Sequence, residues 1–110
     1  MRPELQLAIE QGADCEHCPL RDSGRTVYGV GPRDADLAIV GEAPGAQEAK
    51  EGVPFIGPSG QLLDRVLRVH KINRKEVRLT NATLCRPADG KTPPKSAILA
   101  CRPRLLDEVG

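Results

Sequence analysis

Residues 37–67 read LAIVGEAPGAQEAKEGVPFIGPSGQLLDRVL, and the order of apolar and Gly/Pro-rich segments within them decides the fold. The short apolar run at 37–40 is typical of a buried parallel strand. A Gly/Pro-rich loop of about twenty residues follows it. Apolar side chains at helical spacing in 61–70 then predict a helix, and residues 77–80 predict a second strand. Strand, loop, helix and strand in this order form a βαβ unit, so we predict an α/β fold with a parallel sheet.

The two ends of the chain add helices but no further strands. Residues 3–11 predict a short helix that Gly12 ends. The stretch 92–109 begins with Thr-Pro-Pro and predicts a final helix, in which Pro103 indicates a kink or a restart. Because two strands cannot form a sheet with both edges covered, we expect an architecture that is cut in half.

The composition indicates one small domain with a thin apolar core. The chain has 110 residues, of which 39% are hydrophobic, and its aromatic side chains are Tyr28 and Phe55 alone. With so few large rings, we expect a metal, a partner or a further segment to help hold the fold together. Residues 1–12 contain no unbroken apolar stretch, so we expect neither a signal peptide nor a membrane span. The expected location is the cytoplasm, where thiols stay reduced.

The formal net charge of +1 conceals a strong asymmetry along the chain. Residues 1–64 carry five Lys and Arg against eleven Asp and Glu, whereas residues 65–104 carry eleven Lys and Arg against two Asp and Glu. A segment this basic suits a polyanion such as DNA. A solvated helix face with exposed loops explains the same charges equally well.

Four cysteines are spaced like metal ligands. Cys15 and Cys18 form a C-x2-C pair, Cys85 follows after 66 intervening residues, and Cys101 follows after 15 more. Thiolates in this number suit either zinc or an iron–sulfur cluster, and on spacing alone a structural zinc is the preferred interpretation. Unligated core thiols are the less favoured alternative, because a polar loop is a poor place for a buried C-x2-C pair.

The loop after the first predicted strand lies where open α/β sheets bind their ligands, outside the carboxyl ends of the strands. Gly41 and Gly45 permit close approach of a ligand to the backbone. Glu42 could polarise a water molecule, and the Phe55 ring could stack on a planar base. The commoner roles for such residues are a solvated carboxylate and a loop anchor. The residues by themselves therefore predict a small-ligand or nucleotide site.

Several separate blocks of the sequence resemble the family 4 uracil-DNA glycosylases. GEAPG-x-x-E at 41–48 and PFIGPSGQLLDRVL at 54–67 resemble the first active-site motif of that family. TNATLCRP at 80–87 resembles its second-strand segment, and CRPRL at 101–105 resembles the region of its fourth cysteine. The resemblance implies a three-layer α/β sandwich around a parallel sheet. Members of the family carry a 4Fe–4S cluster, so the resemblance favours that cluster over zinc. The implied ligands are Cys15, Cys18, Cys85 and Cys101.

The resemblance also implies a reaction and the residues that perform it. Phe55 would stack on an extruded uracil, and Asn81 would hydrogen-bond its Watson–Crick edge and so help to reject cytosine. Glu42 is the implied catalytic residue, which would help the backbone of 41–47 to hold the attacking water. The implied substrate-binding residues are Gly41, Ala43, Gln47, Phe55 and Asn81. The implied reaction is hydrolysis of the N-glycosidic bond of deoxyuridine in DNA, a step of base excision repair that requires base flipping and stabilisation of the leaving uracil anion.

The sequence departs from the family pattern in two places. Ala49 stands where an acidic residue is common, and no His follows His70, although the second active-site motif of the family begins with one. Residues 1–110 are therefore expected to match the N-terminal part of a uracil-DNA glycosylase-like domain. Two alternatives stay open: a catalytically inactive iron–sulfur or zinc module that binds nucleic acid, and one half of a split enzyme whose second polypeptide supplies the C-terminal half.

Overall fold

The computed structural model describes residues 3–20, 26–87 and 92–109. In chain order the elements are α1 (Pro3–Glu10), a 3-10 turn (Cys15–His17), β1 (Ala38–Gly41), α2 (Ala46–Glu51), α3 (Pro58–Val69), a second 3-10 turn (Arg74–Glu76), β2 (Arg78–Asn81) and α4 (Lys95–Val109). In these described ranges, no helix combines the length and the apolar character that a bilayer span requires.

The two strands pair in parallel and make the sheet on which the rest of the chain is arranged. Ala38 lies opposite Arg78 and Gly41 lies opposite Asn81, so both strands end at the same edge of the sheet. Because α3 lies between the strands in the chain, the predicted βαβ unit and the α/β class are confirmed. On the other side of β2, Val30 forms an antiparallel bridge with Leu79 through hydrogen bonds of 2.8 and 2.9 Å. β2 is therefore the inner strand.

The predicted burial of β1 is wrong. The strand forms where its apolar run predicts it, but Leu37 and Val40 are 42% and 45% exposed. An apolar sequence indicates that a strand is suited to burial, but burial also requires another element to pack against it. Among the described residues, β1 is paired along one edge only, so its outer edge and part of its side-chain surface face solvent.

A helix that the sequence does not predict interrupts the long loop after β1. α2 begins after Gly45, and the Glu48 side chain accepts a hydrogen bond from the Gly45 N–H, which is the side-chain half of a capping box. Gly52 ends the helix with a φ of 77°, a left-handed conformation that glycine adopts without strain. The predicted helix at 61–70 is confirmed as α3, and it begins three residues early because Pro58 suits the first turn.

The final helix is continuous, so of the two outcomes predicted at Pro103, a kink or a restart, the restart is wrong. α4 runs through Pro103 as one helix, and its second half is anchored beneath the sheet by a buried ion network. The Arg104 side chain is fully buried, and its guanidinium donates hydrogen bonds to the Glu108 carboxylate and to the Thr80 hydroxyl. The same carboxylate accepts a hydrogen bond of 2.6 Å from Arg78. These contacts hold the helix against β2 on the far side of Pro103.

Arg104 also fixes the end of β2. Its Nη2 donates to the backbone carbonyls of Asn81 and Ala82 at 2.8 and 3.0 Å. The strand therefore leaves the sheet along a path that a side chain of α4 determines. Gly29 covers the network from the other side, where a Cβ atom would overlap the Glu108 carboxylate.

We expect Glu108→Gln to lower the free energy of unfolding by about 3–5 kcal/mol, because it leaves the buried Arg104 guanidinium and the largely buried Arg78 guanidinium without their carboxylate. Urea unfolding followed by circular dichroism measures this change. Asp107→Asn is the matched control. The Asp107 carboxylate, next to Glu108 in the chain, pairs with Arg33 at the surface, and the side chains of Arg33 and Asp107 are each about half exposed. The control should leave the midpoint nearly unchanged. Equal losses in the two variants would contradict the role assigned to the network.

Candidate functional site

A cleft of about 450 Å³ opens at the carboxyl ends of β1 and β2. Four residues that the sequence singles out for substrate binding line it. They are Ala43, Gln47, Phe55 and Asn81. The other lining residues come from α2 and its cap and from residues 57–59, where α3 begins. The position agrees with the general rule that ligands of parallel sheets bind beyond the strand ends.

Phe55 and Asn81 meet across Gly41. A Cβ atom at Gly41 would overlap the Asn81 Oδ1 atom and would lie 2.9 Å from the Phe55 Cζ atom. Asn81 is 5% exposed, whereas Phe55 is half-buried. Gly41 is not among the lining residues of the cleft. Because it has no side chain, it leaves the space that the edge of the Phe55 ring and the Asn81 amide occupy.

The Phe55 backbone is held in an unusual conformation. Its φ is 55°, in the left-handed region that residues with a side chain rarely adopt. Gly60 makes this possible, because a Cβ atom there would overlap the Phe55 carbonyl group. Arg74 donates to that carbonyl oxygen at 2.6 Å. Neither contact is visible in the sequence, since Arg74 lies nineteen positions further along the chain.

Glu48 is a buried carboxylate in the wall of the cleft. It is not among the site residues predicted from the sequence. It accepts hydrogen bonds from the backbone N–H groups of Gly57, Ile56 and Gly45 at 2.6, 2.9 and 3.1 Å. Burial by itself would raise the pKa of this carboxyl, but the backbone hydrogen bonds outweigh burial and hold the pKa below its usual range. Glu48 is therefore ionised and ties α2 to the start of α3. The G-x-x-E spacing at 45–48 is the signal that could have identified it.

Glu42, the implied catalytic residue, does not line the cleft in this structure. Its side chain is exposed just beyond the end of β1. Its backbone carbonyl accepts hydrogen bonds from the N–H and the hydroxyl of Thr83 at 3.1 and 3.3 Å, which extends the pairing of the two chain segments past the strand ends. The structure thus brings together the residues implied in base binding, and it leaves the implied catalytic carboxylate at the rim.

The four cysteines lie in or against the apolar core cluster. Cys15 and Cys85 are buried, and Cys18 and Cys101 are half-buried. The other buried members of the cluster are Ala8, Ala13, Leu20, Leu84 and Ala97. Burial and the neighbouring Cys101 raise the pKa of the Cys18 thiol. Four cysteine thiols are the donor set that iron–sulfur clusters use. Across the described ranges, however, no group of three or more His, Cys, Asp or Glu side chains is arranged to hold a metal ion.

Part of the basic segment 65–104 faces the interior. Arg74, Arg78 and Arg104 bind carboxylates and backbone carbonyls within the fold. Arg65 and Arg68 of α3 are exposed. The basic surface that could meet a polyanion is therefore smaller than the count of cations in the sequence indicates.

Comparison with known proteins identifies relatives of this chain. The sequence model of the uracil DNA glycosylase superfamily matches residues 28–110. A type-4 uracil-DNA glycosylase of Pyrobaculum aerophilum is 39% identical over 108 residues, which are 97% of this chain and 55% of that protein. Proteins of the same name from Thermotoga maritima and Saccharolobus solfataricus are each 36% identical, and the matches cover 55% and 50% of their lengths. The chain therefore spans about half the length of these curated relatives.

The lowered pKa of Glu48 predicts a pH dependence. Because the folded pKa lies below the unfolded value, near 4.5, the ionised carboxylate stabilises the fold above that value, and this contribution is lost as the pH falls through the folded pKa. We expect the stability difference between the wild type and Glu48→Gln to be largest near neutral pH and to shrink in acid. Urea unfolding of both proteins from pH 7 to pH 3 measures it. A difference that stays constant with pH would show that the hydrogen bonds do not depend on the charge.

Proposed function

Because the chain belongs to the uracil DNA glycosylase superfamily, we propose that it acts in base excision repair as a uracil-DNA glycosylase, a hydrolase that cleaves the N-glycosidic bond of deoxyuridine in DNA and leaves an abasic site. The observation that carries this proposal is the meeting of the Phe55 ring and the Asn81 carboxamide across Gly41 in a cleft at the strand ends. The names of the relatives support the same reaction.

In the proposed complex, the cleft receives a uracil that has been flipped out of the DNA. The Phe55 ring stacks on one face of the base. The Asn81 carboxamide can donate to a carbonyl oxygen of uracil and accept from its N3–H at the same time. Cytosine presents an amino donor in place of the carbonyl oxygen and an unprotonated N3 acceptor in place of the N3–H. A carboxamide held in one orientation therefore favours uracil. Gly41, Ala43 and Gln47 shape the pocket around the base.

The proposed chemistry is hydrolysis with departure of a uracil anion. Hydrogen-bond donors fixed in the pocket stabilise the negative charge that develops on the base, which is the largest contribution in reactions of this kind. Glu42, together with the backbone of 41–47, would hold the attacking water. Its position at the rim means that this carboxylate has to turn towards the cleft when DNA is bound.

We further propose that Cys15, Cys18, Cys85 and Cys101 hold a 4Fe–4S cluster, with zinc as the alternative. The placement of Cys15 and Cys85 in one apolar cluster, with Cys18 and Cys101 packed against it, supports this assignment. A bound cluster would supply a covalent link between the 3-10 turn at Cys15–His17, the segment after β2 and α4.

The rest of the fold is proposed to come from polypeptide beyond residues 1–110, either in the same protein or in a second one. The match to about half of each relative supports this proposal. So does the exposure of large apolar side chains on β1 and α3, which leaves apolar surface for further structure to cover. The exposed members on these two elements are Val40, Leu62, Val66 and Val69. Uracil-containing DNA as substrate and a cytoplasmic location belong to the same proposal.

A second candidate function is a binding module that recognises uracil in DNA without cleaving it. The exposed position of Glu42, outside the lining of the cleft, favours this alternative. The two functions differ in one observable, namely the release of free uracil.

We expect Asn81→Ala to lower kcat/KM for a single-stranded oligonucleotide with one deoxyuridine by about 10- to 100-fold, because a buried base loses its hydrogen-bond partner. Alkaline cleavage at the abasic site measures the rate. Gln6→Ala is the control, since Gln6 carries an exposed carboxamide on α1, which contributes no residue to the cleft. The binding module is the correct function if the wild type releases no uracil but binds an oligonucleotide with 2′-fluorodeoxyuridine more tightly than one with thymidine. The glycosidic bond of 2′-fluorodeoxyuridine resists hydrolysis, so the assay measures binding alone.

The cluster proposal predicts the metal content of the protein. Anaerobic purification should yield a brown protein with about four irons and a similar amount of sulfide per chain. Cys85→Ser should lower the iron content and the visible absorbance, whereas Ser96→Cys at an exposed position of α4 should change neither. A colourless wild type with one zinc per chain would replace the cluster by the alternative.

A further inference from the structure

We propose that Arg74 is a positioning residue for base recognition, which holds the Phe55 ring in the orientation needed for stacking without itself touching the base. This inference rests on the proposed function, because it concerns the same cleft. It assigns a role to an arginine in the turn before β2 that is not itself among the residues that line the cleft.

The Arg74 guanidinium makes three contacts around the start of α3. Its Nη2 donates to the carbonyl oxygens of Pro54 and Phe55 at 3.0 and 2.6 Å. Its Nη1 donates to the Asp64 carboxylate at 2.6 Å. Asp64 lies on α3, so the arginine connects the loop before the helix with the helix itself. The side chain is 28% exposed, which leaves it partly shielded from competing water.

The peptide group between Phe55 and Ile56 lies between two opposite charges. Its carbonyl oxygen accepts from the Arg74 cation at 2.6 Å, and its N–H donates to the Glu48 carboxylate at 2.9 Å. A cation at the oxygen and an anion at the hydrogen match the dipole of the peptide group. This arrangement fixes the orientation of the peptide plane, and with it the ψ angle of Phe55.

Such a clamp is needed because the Phe55 backbone is strained. A φ of 55° is unfavourable for phenylalanine and persists only where surrounding contacts enforce it. Gly60 removes a steric obstacle, but the missing Cβ atom attracts nothing. The attractive contacts on the Phe55 carbonyl come from Arg74. If this clamp is lost, Phe55 relaxes towards an ordinary conformation, and its ring swings away from Gly41 and Asn81.

The geometry requires an arginine. The planar guanidinium reaches two carbonyls and a carboxylate at once, whereas the ammonium group of lysine presents a point charge that cannot reproduce this fork. Arg74→Lys therefore retains the charge and loses part of the clamp, and Arg74→Gln loses both. Arg33→Gln is the matched control, because Arg33 also binds one carboxylate and one carbonyl, both of Asp107, near the end of α4.

The test exploits the fact that Phe55 is the only phenylalanine in the chain. With ¹³C-labelled phenylalanine, the wild type should give one set of ring signals, a Cα shift of left-handed backbone, and a nuclear Overhauser effect between the ring and the Gly41 α-protons. Arg74→Gln should lose that effect and shift the Cα signal, Arg74→Lys should change both in part, and Arg33→Gln should match the wild type. Unchanged Phe55 signals in a folded Arg74→Gln protein would overturn the proposal. If that variant does not fold, unchanged signals in Arg74→Lys would overturn it.

A second measurement links the ring orientation to base recognition. In the wild type we compare affinities for single-stranded oligonucleotides that contain either one 2′-fluorodeoxyuridine or one thymidine. Arg74→Gln should reduce the preference for the uracil oligonucleotide by about tenfold, Arg74→Lys should reduce it by less, and thymidine binding should stay unchanged in both. An unchanged preference would overturn the role in recognition. A wild type without any preference would refute the proposed function, and the Phe55 signals would still decide whether Arg74 positions the ring.

Discussion

The buried interaction of Arg104 with Glu108 is the constraint on which the rest of the structure depends. It connects the last helix to the inner strand at the point where that strand ends, and the same guanidinium binds the backbone carbonyls of Asn81 and Ala82. α4 also carries Cys101 one turn earlier. The helix that contributes to the cysteine cluster therefore determines where the candidate base-reading amide lies. In a chain with two aromatic rings, directed polar contacts supply the order that a larger apolar core would otherwise provide.

Buried or partly buried charged side chains also fix the backbone around the cleft. Glu48 and Arg74 are charged groups that hold backbone, and the groups proposed to meet the base are an uncharged ring and an amide. Charges with fixed partners resist rearrangement, since breaking one contact leaves an ion without compensation. A neutral binding surface supported in this way can accept a planar base with little adjustment. The division between charged support and neutral contact is the main property of this site.

The sequence predicts the parts of the fold that depend on local pattern. The βαβ unit, α3 and the placement of Phe55 and Asn81 at one cleft follow from periodicity, loop composition and the resemblance. It does not predict Arg74 as a support, because its partners are ten to twenty positions away and only the folded chain brings them together. The exposure of β1 is missed for a related reason. An apolar run records that a strand is suited to burial, and the covering element is encoded elsewhere.

The outer edge of β1 exposes the polypeptide to aggregation and to chaperone binding in the cell. Within the described residues this edge has no neighbouring strand, and exposed apolar side chains such as Leu37 and Val40 flank it. Unpaired backbone beside apolar surface is a template onto which another extended chain can add. Polypeptide of this kind is a substrate for chaperones and for aggregation until the edge is capped. An unpaired edge flanked by apolar side chains is thus a liability for protein homeostasis wherever it stays uncovered.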